Sequence, residues 1–515
     1  MEFDSDTMSA TVQPCAPAAR KWVLANSILA SGMVFIDGTV VNVALPALQR
    51  DFGAGVAQAQ WVVEAYALLL TALLLLGGSM GDRYGRRRIF ALGVAVFGAA
   101  SVACGLVGGI GQLIWARALQ GVGGALLVPG SLALISASFP ANIRGRAIGT
   151  WSGYSAITAA LGPVLGGFLI EHVSWRAAFL INVPLVLSVL FLTFRHVPES
   201  RGNASGRLDW PGALLVSVAL GCLVYGLIES STRGWTDPRV LAALVLAPLA
   251  CAGFVLTEMR HPSPMLPLGV FRARDFSGAN LLTLLLYGAL GGLMFFLPLN
   301  LIQVQGYSAT AAGAALAPFI LLMFTLSRWS GGLVDRYGAR GPLVIGPAIA
   351  AAGFALFALP GIGGSYWRSW FPAILLLGFG MTVTVAPLTT TVMNTLEPAR
   401  AGLASGINNA VSRAAGLLAI ALLGLVMRQA FDSALDRRMQ ALTVSPPLRA
   451  QVEAQRGRLA AISLPAAGPA SERQAVERAV AEAFVAGFRR VMAVSALLAL
   501  ASSVGAWWMI GGKQS

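Results

Sequence analysis

The sequence predicts an all-α membrane protein of fourteen transmembrane helices, arranged as two six-helix bundles with two further helices inserted between them. Three observations predict it. Of 515 residues, 56% are hydrophobic and only 11% charged, against about 25% charged in a soluble protein; the mean hydropathy is +0.73. Apolar runs close to the ~20 residues needed to cross a bilayer recur along the chain. A charged motif at the end of the second run returns at the end of the tenth, 253 residues later, Asp82 matching Asp335.

The runs lie at 22–45, 61–80, 89–109, 113–138, 146–170, 177–194, 211–231, 239–257, 277–301, 309–329, 342–360, 369–393, 401–427 and 487–510, separated by charged or Gly/Pro-rich breaks. The first follows a mixed, partly acidic segment with no cleavage signature and is expected to be an uncleaved span. The predicted organisation is a cytoplasmic tail at 1–21, a six-helix bundle at 22–194, a linker with the two inserted spans at 195–276, a second bundle at 277–510 and a short cytoplasmic tail at 511–515.

Orientation follows from the short loops. With the N-terminus inside, eighteen Arg and Lys fall on the inside and five on the outside, which places both termini in the cytoplasm. The stretch 428–486 and its flank hold ten Arg between Arg428 and Arg490. Long loops cross regardless of charge, so it is expected to be an external, partly helical loop: a solvated hairpin, or a docking surface for a periplasmic adaptor.

The net charge of +14 is best spent on this topology rather than on nucleic acid. Of the 36 basic residues only Lys21 and Lys513 are lysines. Neither stands in a Gly-Lys-Ser/Thr phosphate loop, and neither can carry a Schiff base within a span. Cys15, Cys104, Cys222 and Cys251 and the three histidines form no close cluster. No metal, cofactor or disulfide framework is expected, nor is an enzyme, since no nucleophile–base pair is apparent.

The duplicated motif reads Gly78-Ser-Met-Gly-Asp82-Arg83-Tyr84-Gly85-Arg86-Arg87 and Gly331-Gly-Leu-Val-Asp335-Arg336-Tyr337-Gly338-Ala-Arg340, identical at six of ten positions. Both copies fall inside. Glycines allow a tight turn between helix ends, Asp82 can pair near the start of the next helix, and Arg86 to Arg88 suit an anionic leaflet. Duplicated halves mark transporters. The copies are eight spans apart, which leaves the seventh and eighth as the insert.

In the fifth span, Gly162-Pro163-Val-Leu-Gly166-Gly167 breaks a helical hydrogen bond and offers a small-x-x-x-small packing face. In the first span, Asp37 interrupts an otherwise apolar run, about 12 Å from its outer end at 1.5 Å per residue. An intramembrane carboxylate costs about 3 kcal/mol on insertion scales and usually persists for proton or ion handling.

Taken together, Asp37-Gly-Thr-Val-Val-Asn42-Val-Ala-Leu-Pro46, the Gly78–Arg88 loop, Arg117-Ala-Leu-Gln120-Gly121-Val-Gly123 and the Gly162–Gly167 segment resemble, in order, the motifs of the major facilitator superfamily and its fourteen-helix drug:proton antiporters. Trp175-Arg176 and Phe179-Leu-Ile-Asn182-Val-Pro184 fit as well. The resemblance covers nearly the whole chain. It implies the major facilitator fold, the bacterial inner membrane, proton-coupled efflux of amphipathic compounds by alternating access, Asp37 as the coupling acid, Arg117 as an aid to proton movement, and Gly162–Gly167 as a control on the closed state.

Other residues carry two readings each. Arg117 also suits a structural ion pair, and Gln120 either lines a cavity or bonds between helices. Glu64, where the family commonly has a small polar residue, is a second proton site, an attractant for cations or an interfacial acid in contact with water. Arg413 needs a partner: an anionic substrate or a bundle-locking ion pair. Asn42, Asn280, Tyr287, Met294 and Met381 are candidates for an adaptable cavity or for ordinary packing. A dedicated exporter of one metabolite, and a non-transporting sensor or scaffold on the same fold, are the rival expectations.

Overall fold

The computed structural model describes residues 17–201, 208–395, 401–464 and 469–511. Residues 1–16 and 512–515, with Cys15, Lys513 and most of the two expected tails, lie outside the described residues, as does the Asp335 side chain. Among the described residues there are helices and turns and no strand. That is what lipid demands of a chain so poor in charge, because each backbone N–H and C=O must find its partner within the segment.

The first half consists of α1 (Pro17–Phe52), α2 (Val56–Tyr84), α3 (Arg86–Leu106), α4 (Ile110–Ser138), α5 (Ala141–His172), α6 (Ala177–Leu180) and α7 (Asn182–His196). Two long helices follow, α8 (Trp210–Arg233) and α9 (Pro238–Arg260). They pack on each other, and α8 also rests on α2. The second half holds α10 (Arg274–Leu299), α11 (Ala309–Ala314), α12 (Ala317–Gly331), α13 (Leu333–Tyr337), α14 (Arg340–Phe357), α15 (Tyr366–Ser369), α16 (Phe371–Asn394), α17 (Ala401–Ala441), α18 (Pro446–Ala454) and α19 (Ala470–Met509). Thirteen described segments are long and apolar enough to cross a membrane. Helix α5, at the place of the fifth expected span, stands outside that count.

Two expected spans are broken, each for a local reason. The run expected at 177–194 divides at Ile181, because Pro184 has no N–H to offer the Leu180 carbonyl. The run expected at 309–329 divides before α12, where Pro318 fails the Ala314 carbonyl in the same way. Within each half the helices approach backbone to backbone at glycines. A Cβ on Gly121 of α4 would strike the Tyr66 carbonyl of α2, and one on Gly346 of α14 would strike Thr384 of α16.

The duplication is visible in the backbone. Gly85 and Gly338 turn the chain at equivalent places with φ of 113° and 73°, values open to glycine and unfavourable to side chains.

The stretch 428–486 is less loop than expected. Helix α17 continues unbroken to Ala441, and α19 begins at Ala470. The two form a projecting hairpin closed by α18 and a 3₁₀ turn at Arg456–Ala461. Phe431, Leu435, Val480 and Phe484 bury between them. Arg438 pairs with Glu482 at 3.0 Å, Arg428 with Asp432 at 2.7 Å, and Arg456 with Asp436. The mixed charges of the expected partly helical loop therefore form the outer faces of paired helices.

The two halves meet at one end of the molecule. There α5 crosses α11, with Gly167 against the Ala309 carbonyl and Gly313 against the Pro163 carbonyl. Gln303 Nε2 donates to Gln49 Oε1 at 2.9 Å, the Thr310 N–H donates to Glu171 at 3.0 Å, and Gln60 Nε2 donates to the Ile420 carbonyl at 2.9 Å. The 3₁₀ turn at Arg456–Ala461 lies over this junction, against Gly53 and Gly55. The duplicated loops stand at the opposite end.

Candidate functional site

Asp37 sits in the middle of α1 and is completely buried, as are Gln120, Ser101 and Asn182, with Arg117 1% exposed. Arg117 and Gln120 are three residues apart on α4 and so share a face. The α6–α7 break brings Asn182 to the same point from the start of α7. Arg117 Nη1 donates to Asp37 Oδ2 at 2.5 Å and to Gln120 Oε1 at 2.6 Å. Gln120 Nε2 donates to Asp37 Oδ1 at 2.8 Å and to Ser101 Oγ at 2.9 Å. Asn182 Nδ2 donates to Asp37 Oδ1 at 3.1 Å. The carboxylate thus receives three donors from two helices. Both of its oxygens are satisfied, which a buried charge requires.

Arg117 is held as fully as its partner. Its Nε donates to the Val62 carbonyl at 3.1 Å, and its guanidinium stacks on the Tyr66 ring at 4.2 Å with Phe179 at 5.7 Å. The Tyr66 hydroxyl donates to the Val34 carbonyl of α1 at 3.3 Å. Ion pair, ring and helix ends form one unit tying α1, α2, α4 and α7.

The network lies inside the first half and not on the face of α1 turned toward the second. Gln120, expected as a cavity-lining amide or an interhelical bond, makes the bond. Of the expected proton-coupling group of Asp37, Arg117 and Glu64, the first two meet and Glu64 is not bonded to either, while Gln120 joins the pair. Asn182 was legible only as part of a motif, and Ser101 and Tyr66 gave no sequence signal beyond being polar atoms in apolar runs.

Glu64 is also completely buried, which rules out the reading of an interfacial acid in contact with water in this state. Neither carboxyl oxygen has a hydrogen-bond partner among the described residues. It lies one turn from Gln60, on the side of α2 that meets α17. An ionised carboxylate left there without a donor would carry a penalty of several kcal/mol.

The Gly78–Arg88 loop is pinned by residues just beyond α7. Asp82 pairs with Arg86 at 2.7 Å. Glu199, just beyond α7, accepts from the Arg87 N–H at 3.0 Å and lies 3.6 Å from Arg88, while the Arg86 N–H donates to the Ser200 carbonyl at 2.8 Å. In the second copy Arg336 is exposed and stacks on Tyr337 at 5.3 Å; Arg83 stacks on Tyr84 at 5.9 Å.

The Gly162–Gly167 segment faces two ways. Gly162 and Gly166 lie against Ile36, Thr39 and Val40 of α1, while Pro163 and Gly167 meet α11 across the junction of halves. Among the cavity candidates, Asn42 is half-buried with Oδ1 unpartnered. Asn280 and Thr283 bond to Asn408 across α10 and α17 at 3.2 and 2.7 Å. Tyr287 and Met294 are partly buried against the core, and Met381 is core itself, 1% exposed. Arg413 is half-buried, its guanidinium 5.8 Å from the Phe35 ring centre. Among the described residues no group of three His, Cys, Asp or Glu could hold a metal ion.

A multi-pass helical protein with duplicated halves and a buried acid between helices is a transporter architecture. The comparisons place it. Residues 27–420 match the Major Facilitator Superfamily, and the chain belongs to that family. It is 37% identical over 401 residues to the tetracenomycin C resistance and export protein of Streptomyces glaucescens, covering 77% of this chain and 73% of that one. It is 36% identical over 423 residues to the multidrug resistance protein Stp of Mycobacterium tuberculosis, covering 81% and 78%. It is 39% identical over 413 residues to the puromycin resistance protein of Streptomyces alboniger, covering 79% and 82%. The fold matches the crystal structure of a bacterial homologue of the human lysosomal transporter Spinster, with a TM-score of 0.68 at 18% identity, covering 96% of this chain and 97% of that one.

Proposed function

We propose that this protein is a proton-coupled antiporter of the bacterial cytoplasmic membrane that exports amphipathic, mostly apolar compounds by alternating access. The relatives' names support export of antibiotics and drugs, and transport, unlike catalysis, makes or breaks no bond of the substrate. Both termini face the cytoplasm, and fourteen helices form two bundles of six with α8 and α9 inserted. The junction of α5 and α11 is then the outer gate, here closed.

The observation that carries the coupling is the Asp37–Arg117 pair. Protonating Asp37 removes one charge from a buried pair, and the tie between α1 and α4 weakens. Deprotonation restores it. Two discrete arrangements of one packed unit give the bundle two states to exchange. Proton and substrate then favour opposite states. Glu64 is the second proton site: with the gate closed it is enclosed, and parting α2 from α17 gives it water. The duplicated loops at Asp82 and Asp335 guide the cytoplasmic ends of the halves, and the hairpin of α17 and α19 is where a periplasmic adaptor would dock.

Proteoliposomes with an imposed pH gradient test this. The intact protein should drive efflux against a substrate gradient, and Asp37→Asn should not, while still binding substrate. Equal gradient-driven efflux by both removes Asp37 from the mechanism. Export of a single metabolite is the second reading, favoured by relatives named for one antibiotic each; a panel of unrelated toxic compounds in a deletion strain separates the two.

A further inference from the structure

We infer that Arg413 anchors a binding site for amphipathic aromatic anions between α1, α2 and α17, an assignment of substrate class that rests on the export reading. Arg413 lies within a membrane-spanning helix, half-buried. A cation at such depth needs a counter-charge, yet none of the ion pairs among the described residues includes it. The acids that might have served are accounted for. Asp37 is taken by Arg117, Gln120 and Asn182. Glu64 is enclosed and bonded to nothing. Glu229 of α8 is held by Trp61 and Arg233.

What Arg413 does face is aromatic. Phe35 presents its ring to the guanidinium at 5.8 Å. Phe35, Gly38 and Asn42 follow one another at spacings of three and four and so share one face of α1. All three are only partly buried. The remaining faces of α1 are occupied, Asp37 by α4 and α7, Thr39 and Val40 by α5. Gly38 leaves its space to the Tyr66 ring, 3.8 Å from where a Cβ would stand. Asn42 closes the face with an unpartnered amide oxygen.

A guanidinium fork binds carboxylate bidentately and stacks on rings. A planar aromatic body carrying a carboxylate, phenolate or sulfonate would meet the fork with its charge and Phe35 with its ring system. A cationic ligand would meet an unshielded positive charge. The site therefore selects by sign of charge as well as by apolarity.

The test uses purified full-length protein and two isosteric probes, anthraquinone-2-carboxylate and its neutral carboxamide, with binding measured at pH 7. The intact protein should prefer the carboxylate at least tenfold. Arg413→Gln should reduce the preference below twofold, the loss falling mainly on the carboxylate, with the melting temperature reporting the fold. A second measurement needs no variant: the carboxylate, and not the carboxamide, should slow phenylglyoxal modification of Arg413, read by mass spectrometry. Equal binding of the two probes, no carboxylate binding at millimolar concentration, a preference that survives Arg413→Gln, or modification unaffected by the carboxylate each overturns the site. Loss of gradient-driven transport with the charge preference intact would instead defeat the antiport reading alone.

Discussion

Gly167 of α5 lies directly against the Ala309 carbonyl at the start of α11, in a contact with no room for a Cβ. Pro163 and Gly313 make the reciprocal contact one turn away. Closure of this end thus depends on backbone meeting backbone, and a larger residue acts as a wedge. Gly167→Leu should lower transport at least tenfold. Crosslinking of Gln49→Cys to Gln303→Cys by a short bifunctional thiol reagent, at positions whose parent side chains bond at 2.9 Å, should fall in parallel. Unchanged crosslinking in Gly167→Leu would show that the crossing does not set closure.

The Asp37–Arg117 pair predicts a split between stability and transport. Arg117→Ala leaves a buried carboxylate without its cation, a loss of about 3–5 kcal/mol, read as a lowered melting temperature in detergent. The double change Asp37→Asn with Arg117→Gln removes both charges and should recover most of that stability while transport stays absent. Transport by the double variant would mean that the pair is only scaffolding.

Glu64→Gln should behave oppositely to Arg117→Ala. No ion pair or hydrogen bond is lost, so stability should hold within about 1 kcal/mol. In the intact protein, raising the pH should weaken closure at the α2–α17 junction, because an ionised Glu64 cannot stay enclosed without a donor. In Glu64→Gln that contribution should vanish, leaving only the pH dependence carried by Asp37. The Gln49–Gln303 crosslink measured across pH 5–9 reads this, and parallel profiles for the two proteins would remove Glu64 from gating.

Gly85 turns the loop at φ 113°, and a Cβ there would also meet the Glu199 carboxylate. Gly85→Ala should cost about 1–2 kcal/mol in backbone strain and loosen the α7 end from α3. Glu199→Gln should give part of the transport defect with no backbone strain. Proteolysis at the 197–201 segment, compared between the two, measures the loosening.

Much of this could be read from the residues, because polar groups stand out in apolar runs. Asp37, Arg117 and Gln120 were visible for that reason, as was the repeat that Gly85 and Gly338 now show in the backbone. What stayed hidden was direction. In a helix apolar on every side, nothing marks which face Met381 turns inward or that Gln120 points at Asp37 rather than at a cavity. Glu199 was invisible because its partners come from a loop 112 residues earlier. The hairpin of α17 and α19 was expected as a partly helical loop, and the extent of its helices stayed hidden because their buried stripe is diluted by charges on the outer faces. The breaks at Ile181 and before α12 were not foreseen, since Pro184 and Pro318 lie in runs whose apolar length alone reads as one span.

That hairpin has a practical consequence for imaging. Most of a 53.5 kDa chain of this kind disappears into a detergent belt and offers particle-alignment software little to hold. Two paired helices running beyond the apolar part of α17 and α19 supply a landmark outside it, and a binding fragment raised against their charged outer faces would enlarge it.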